Sequence, residues 1–213
     1  MIKETVEDIN YMLAIVDYGV GNLFSLESSV RAIGCETIVT SDPERIMSAE
    51  RIILPGVGAF GDAVGKLRAS GLDRTVTEAA AGGIPLLGIC VGMQMLFDTD
   101  YEYGEHKGLG LIPGEVHSLR EIVSPELKIP AIGWSGLSFK KRSRLFEGIT
   151  EGEYVYFVHS YAATGCDGYI SAVTDYGSTV TAAVENGNIY GTQFHPEKSS
   201  TAGLKILKNF CSL

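Results

Sequence analysis

The chain has no C-x-x-C pair and no long apolar run. Its four cysteines, Cys35, Cys90, Cys166 and Cys211, are scattered through 213 residues, and no spacing among them reads as a zinc site or a disulfide framework. No stretch approaches the roughly 20 apolar residues of a membrane-spanning helix. The opening Met1-Ile2-Lys3-Glu4-Thr5-Val6-Glu7-Asp8 is too charged for the apolar region of a signal peptide. The expected setting is therefore a reducing, cytoplasmic one with free thiols. Positive charge is scarce: 17 Lys and Arg against 26 Asp and Glu leave a net charge of −9. A field of that sign repels polyanions, so nucleic acid and anionic membrane are not expected partners. The four histidines form no cluster with acids at ligand spacing, so neither a metal nor a cofactor is called for. Internal repeats and low-complexity segments are also missing.

A composition of 45% hydrophobic and 20% charged residues suits a chain with a real core. Residues 1–11 are polar and acidic and read as an N-terminal extension; residues 12–213 read as one domain. From Met12, the run to Val16 is continuously apolar and ends at Asp17, as in a strand buried on both faces. Leu23, Leu26, Val30 and Ile33 follow at helical spacing, with Gly34 as the stop. Strands are expected at 37–40, 51–54 and 85–89, and helices at 61–71, 73–82 and 93–97. This alternation predicts an α/β fold with a mostly parallel central sheet flanked by helices. After residue 110, segments near 114–119, 131–139, 153–163, 168–174, 179–185 and 188–194 read as strands joined by turns, an antiparallel portion in the C-terminal half. Leu204, Leu207 and Phe210 mark a last helix over 202–211.

Gly88-Ile89-Cys90-Val91-Gly92 lies between a buried strand and a helix. This is the logic of a nucleophile elbow with cysteine in place of serine: a tight turn that needs small residues two places either side. The start of the helix favours thiolate through its free N–H groups and dipole, and the Val91 N–H is placed to donate to an oxyanion. A lone cysteine is usually a core residue; the flanking glycines, the strand and the helix reverse that reading for Cys90 alone.

A cysteine nucleophile requires a base, itself held by a third group. His195 closes a strand candidate, and Pro196 keeps it extended. Residues i and i+2 then share a side, so Glu197 can orient the imidazole. His159 is the alternative base, without an acid at that spacing. His106 and His117 have no evident partner and read as solvated or satisfied. The turn Leu54-Pro55-Gly56-Val57-Gly58-Ala59-Phe60 also follows a buried strand, so it belongs beside the elbow, with N–H groups available for negative charge. Gly56, Gly58 and Gly61 match G-x-G-x-x-G literally, but no ribose-binding acid follows, so a dinucleotide loop ranks behind.

Together these residues resemble the class I, triad-type glutamine amidotransferases, and among them the family of glutaminase subunits of imidazole glycerol phosphate synthase. The resemblance runs from Met12 to the C-terminus. It is carried by Asp17-Tyr18-Gly19-Val20-Gly21-Asn22, the Leu54–Phe60 turn, Gly88-Ile89-Cys90-Val91-Gly92-Met93-Gln94, Gly108-Leu109-Gly110-Leu111-Ile112, Tyr156-Phe157-Val158-His159-Ser160-Tyr161 and Gln193-Phe194-His195-Pro196-Glu197-Lys198-Ser199. It implies that Cys90 attacks the side-chain amide of glutamine, with His195 as base and Glu197 as orienter. It implies a glutamyl thioester, and ammonia passed to a cyclase subunit, a (β/α)₈ barrel, in histidine biosynthesis. Gly56, Gln94, Ser160 and Tyr161 would hold glutamine, and Val57 and Val91 would supply oxyanion N–H groups, with the Val57 turn misplaced at rest. The family's Pro-His-x-Gly-Trp-Asn is here Pro130-Ala131-Ile132-Gly133-Trp134-Ser135; Trp134 would still face the partner, with core packing as the competing reading. Lys140-Lys141-Arg142 and Arg144 read as a solvated charge run before an interface. Alternatives are a stand-alone cysteine hydrolase of γ-glutamyl bonds, or a sibling amidotransferase subunit.

Overall fold

The structure is a computed structural model that describes residues 13–213; the proposed extension, residues 1–11, lies outside them. Strand β1 (Leu13–Val16) has all four side chains buried. Each large apolar side chain hidden this way is worth about 1.5–3 kcal/mol over leaving it in water. That is why continuous apolarity marks the centre of the sheet. Helix α1 (Leu23–Ala32) packs through Leu26 and Val30, one turn apart. Strand β2 (Thr37–Thr40), helix α2 (Pro43–Met47), strand β3 (Ile52–Leu54), helices α3 (Phe60–Ala69) and α4 (Leu72–Ala81), strand β4 (Leu86–Ile89) and the one-turn helix α5 (Val91–Gln94) follow.

The main sheet has eight strands. From one edge it runs β2, β1, β3, β4 and then Ile189–Thr192, all parallel. Thr179–Asn186, Ile170–Asp175 and Ser138–Phe139 extend it antiparallel. The strand that leads to the candidate base is therefore hydrogen-bonded beside the strand that leads to the candidate nucleophile, with Thr192 level with Ile89. This parallel neighbourhood puts residues 90 and 193–195 at the same sheet end, where open α/β sheets place their ligands. The helix Ser200–Cys211 buries Ile206, Leu207 and Phe210.

Several expected elements are divided differently. The segment 153–163 is two strands, Tyr154–His159 and Tyr161–Thr164, broken at Ser160. The first pairs with Ala131–Gly136 in a two-stranded ribbon. The second joins a separate four-stranded sheet through Glu115–Ser118. The change of sheet falls at Ser160, which borders the same space as Cys90. The segment 131–139 likewise splits at Leu137. The helix expected over 93–97 is instead one turn beginning at Val91. The hairpin at Gly187-Asn188 forms as expected, Asn186 facing Ile189 across a two-residue loop, with Gly187 at φ 60°. Helix α2 escaped the hydrophobic pattern because only Ile46 is buried; its signal was the Asp42-Pro43 start, with the Asp42 carboxylate accepting from Glu44 N at 3.0 Å. No helix among the described residues is long and apolar enough to cross a membrane.

Candidate active site

Cys90 sits between β4 and α5 with φ 55° and ψ −112°. Such a backbone costs an L-residue of order 1–3 kcal/mol and persists only where the surroundings enforce it. Three glycines do so here. A Cβ on Gly88 would meet the Gly92 carbonyl oxygen at 2.5 Å; one on Gly92 would strike the Leu54 carbonyl, and one on Gly56 the Gly92 amide nitrogen. The end of β3 and the start of α5 are thus in backbone contact. The Gly56-Val57 peptide lies beside Val91 for that reason, and both expected oxyanion residues border the same space. Burial does not set Cys90 apart from the other three cysteines; its positive φ does.

One cavity of about 260 Å³ opens above the elbow. Cys90, Val57, Val91, Gln94, Ser160 and His195 line it, with Tyr161 beside Ser160. Gly56 lies behind this wall, in a narrow crevice with Pro55, His195 and Glu197. The residues expected to meet come from four places in the sequence and surround one space, Gly56 through its contact with Gly92. A larger cleft lies elsewhere, over Lys140–Arg144, and none of Cys90, His195 and Glu197 lines it.

His195 Nδ1 stands 2.9 Å from Glu197 Oε1, and the two side chains are 3% and 4% exposed. A carboxylate accepts, so Nδ1 carries the proton and Nε2 is left for the sulfur. Burial would lower the imidazole's proton affinity. Hydrogen bonding and charge from Cys90, joined by Glu197, overcome it and push His195 up to about 9. The site therefore favours the charged imidazolium, the partner that a reactive cysteine requires. The second oxygen of Glu197, Oε2, is buried without a hydrogen-bond partner among the described residues.

His159, the alternative base, also lines the cavity. Burial pushes it down to about 4, and its Nδ1 lies 2.8 Å from the Tyr161 carbonyl. Basicity that low, with Nδ1 held by a carbonyl instead of a carboxylate, makes it a far poorer proton acceptor than His195. His117 does have partners: Glu115 at 3.0 Å and Glu121 at 3.3 Å, the latter on the short helix Leu119–Ile122. It is held at the surface away from the cavity. Sequence reasoning missed Glu102, which reaches the cavity from a loop and accepts from the Phe60 amide at 2.5 Å; no local pattern marks it. It also missed Gln193, wholly buried with its Nε2 at 3.7 Å from Cys90 Sγ. The period of two that ties His195 to Glu197 also points back to residue 193.

Trp134 is half-exposed and lies on the two-stranded ribbon, edge-on to Tyr156 at 6.1 Å between ring centroids. It is not a core residue. Ile132 and Tyr154, on the same ribbon, are exposed as well.

A strained cysteine at the end of a parallel strand, faced by a buried His–Glu pair, is an arrangement in which a thiol can act as a nucleophile on an α/β sheet. The family model for class I glutamine amidotransferases matches residues 14–212, and the chain belongs to that family. Within it, the chain groups with the HisH subunits of imidazole glycerol phosphate synthase. It is 50% identical over 200 residues to that subunit from Dehalococcoides mccartyi, covering 93% of this chain and 96% of the relative. It is 48% identical over 202 residues to the one from Sulfurimonas denitrificans, covering 93% and 97%. Among solved structures, a glutamine amidotransferase superposes with a TM-score of 0.74 at 17% identity, covering 95% of this chain and all of that one. PurLQS from Thermotoga maritima gives 0.72 at 19%, covering 94% and 97%. At those identities the superpositions speak for the fold.

Proposed function

We propose that this chain is the glutaminase subunit of imidazole glycerol phosphate synthase, with Cys90, His195 and Glu197 as its catalytic triad. The observation that carries the reading is the meeting of the strained Cys90 elbow with the buried His195–Glu197 pair at one cavity. Glutamine enters beside Gln94, Ser160 and Tyr161, backed by Gly56. The Cys90 sulfur adds to the carboxamide carbon, and the oxyanion forms toward the N–H groups of Val91 and Val57. The His195 imidazolium gives its proton to the departing nitrogen, the C–N bond breaks, and ammonia leaves a glutamyl thioester. His195, now neutral, takes a proton from water as the water attacks the thioester. Glutamate departs, and the proton returns to the Cys90–His195 pair.

The ammonia would pass to a cyclase subunit, a (β/α)₈ barrel, docked on the face that carries Trp134. The Val57 turn would rest out of line and swing its N–H inward when that partner is loaded. Glutamate release by this chain alone, and then with the cyclase and its nucleotide, tests the proposal, with Cys90→Ala as blank. Strong stimulation that is absent in the blank is the expected result. Full activity without the partner would overturn it in favour of a stand-alone hydrolase.

A further inference from the structure

We propose that Gln193 is a positioning residue for the nucleophile: its carboxamide presents a fixed N–H donor to the Cys90 sulfur. The inference rests on Cys90 being the nucleophile and deepens that reading. Three contacts form a chain with one possible sense. The Tyr161 carbonyl can only accept, and Gln94 meets it through Nε2 at 3.2 Å. The same Gln94 nitrogen donates to Gln193 Oε1 at 3.1 Å. With its oxygen so engaged, Gln193 must turn its Nε2 toward the remaining neighbour, Cys90 Sγ, at 3.7 Å. The order Tyr161 carbonyl, Gln94, Gln193, Cys90 is thus set from the far end by a group that has no other polarity to offer.

Burial makes this arrangement consequential. Gln193 is 0% exposed, Gln94 4% and Cys90 5%. A buried amide with an unused donor costs free energy, and a buried anion with no donor costs more. A thiolate satisfies both needs; a neutral thiol accepts weakly and satisfies neither well. The titratable groups around the sulfur are His195, Tyr18 through its charge interaction, and Glu102 and His159 across the same cavity; Glu197 and His159 act on His195. None of them reproduces a neutral donor that is fixed at every pH. The backbone supports the placement, because the Gln193 amide donates to the Ala182 carbonyl at 2.9 Å and the His195 amide to the Tyr156 carbonyl at 2.9 Å. Base and donor are therefore held on one stiff segment, two residues apart. The chain also orients Gln94: with its nitrogen committed inward, its oxygen is the atom left for a ligand's donor.

The test is the pH profile of Cys90 alkylation by iodoacetamide, which reads thiol reactivity without glutamine or the cyclase. A failure here is then distinct from failure of the glutaminase assignment. Gln193→Met keeps length and loses the donor; Gln193→Glu keeps shape and sets a carboxylate against the sulfur. The expected result is a profile displaced to higher pH in both, with alkylation at neutral pH slowed about tenfold in Gln193→Met and further in Gln193→Glu. Such an ordering is one that loss of packing alone would not produce. Should both variants fail to fold, the wild-type protein and Cys90→Ala serve instead. The side-chain ¹⁵N–¹H resonances of Gln193 then shift when the sulfur is removed. Folded variants with an unchanged alkylation profile, or Gln193 resonances indifferent to Cys90→Ala, would overturn the proposal.

Discussion

Glu197 Oε1 accepts from His195 Nδ1 at 2.9 Å within a site where both side chains are almost fully enclosed. The carboxylate does two things at once. It fixes the tautomer, so that Nε2 faces Cys90, and it supplies negative charge to an imidazole that burial alone would strip of its proton. Glu197→Gln keeps the shape and removes the charge. Glutamine turnover is expected to fall on the order of 10²–10⁴-fold with KM little changed, because the loss is felt when the imidazolium forms. Steady-state glutamate release from the complex measures this; a fall of less than tenfold would contradict the role.

The raised value of His195 depends on the sulfur next to it. In Cys90→Ala the burial remains and the hydrogen bond and charge interaction with the sulfur are gone, so His195 should lose its proton well below the value of about 9 that it has in the intact pair. Titration of its ring carbon-bound proton by NMR reads this directly. The same linkage has a sign in stability. A group whose value is raised on folding from 6.5 to about 9 stabilises the folded state fully below 6.5, and that contribution is lost as pH rises through about 9. The Tm of the native protein should therefore decline across that window relative to Cys90→Ala. Parallel Tm curves would contradict the pairing.

The contact between the end of β3 and the start of α5 has no room for a methyl group. Gly92→Ala would press a Cβ into the Leu54 carbonyl, a backbone atom that cannot rotate away. Overpacking of this kind costs about 1–3 kcal/mol, and the shift also moves the Val91 N–H. Thermal unfolding should show a Tm lower by several degrees, and alkylation of Cys90 should slow.

Tyr18 ties the Asp17–Asn22 loop to the turn that carries Val57. Its hydroxyl donates to the Pro55 carbonyl at 2.6 Å, inside the protein. Burial, with the Cys90 charge adding to it, pushes the phenol upward, so it remains a donor. Tyr18→Phe leaves that carbonyl short of a partner at a cost of about 1–3 kcal/mol. It also loosens the turn, so the ratio of partner-stimulated to unstimulated glutaminase rate should fall severalfold. Thermal unfolding and the two rates check this; an unchanged ratio would show that the tether plays no part in the response.

The parallel half of the sheet was legible because its strands are buried on both faces, which leaves β1, β3 and β4 almost wholly apolar. The grouping of Cys90, His195 and Glu197 as candidates was legible for a related reason. The elbow demands glycines that leave a mark in the text, and Pro196 between His195 and Glu197 enforces extension. What could not be read was long-range. Nothing near Ser160 signals that the chain leaves one sheet for another there, since Phe157-Val158 before it and Tyr161 after it suit a continuing strand equally well. Glu102 reaches the cavity from a loop whose local sequence is only polar and aromatic. Gln193 was within reach, because the alternation that paired His195 with Glu197 continues back to it. A glutamine carries no charge and attracts no notice until its amide is seen against a sulfur.

The central claim is that Cys90 attacks glutamine and carries a glutamyl thioester. Rapid acid quench of the complex during turnover, followed by mass spectrometry of the peptide that contains Cys90, tests it most directly. The account predicts a glutamyl adduct on Cys90 that forms in the native protein, accumulates when water attack is slowed, and is absent in Cys90→Ala. Glutamine consumed at full rate with no adduct on Cys90, or by Cys90→Ala itself, would contradict it.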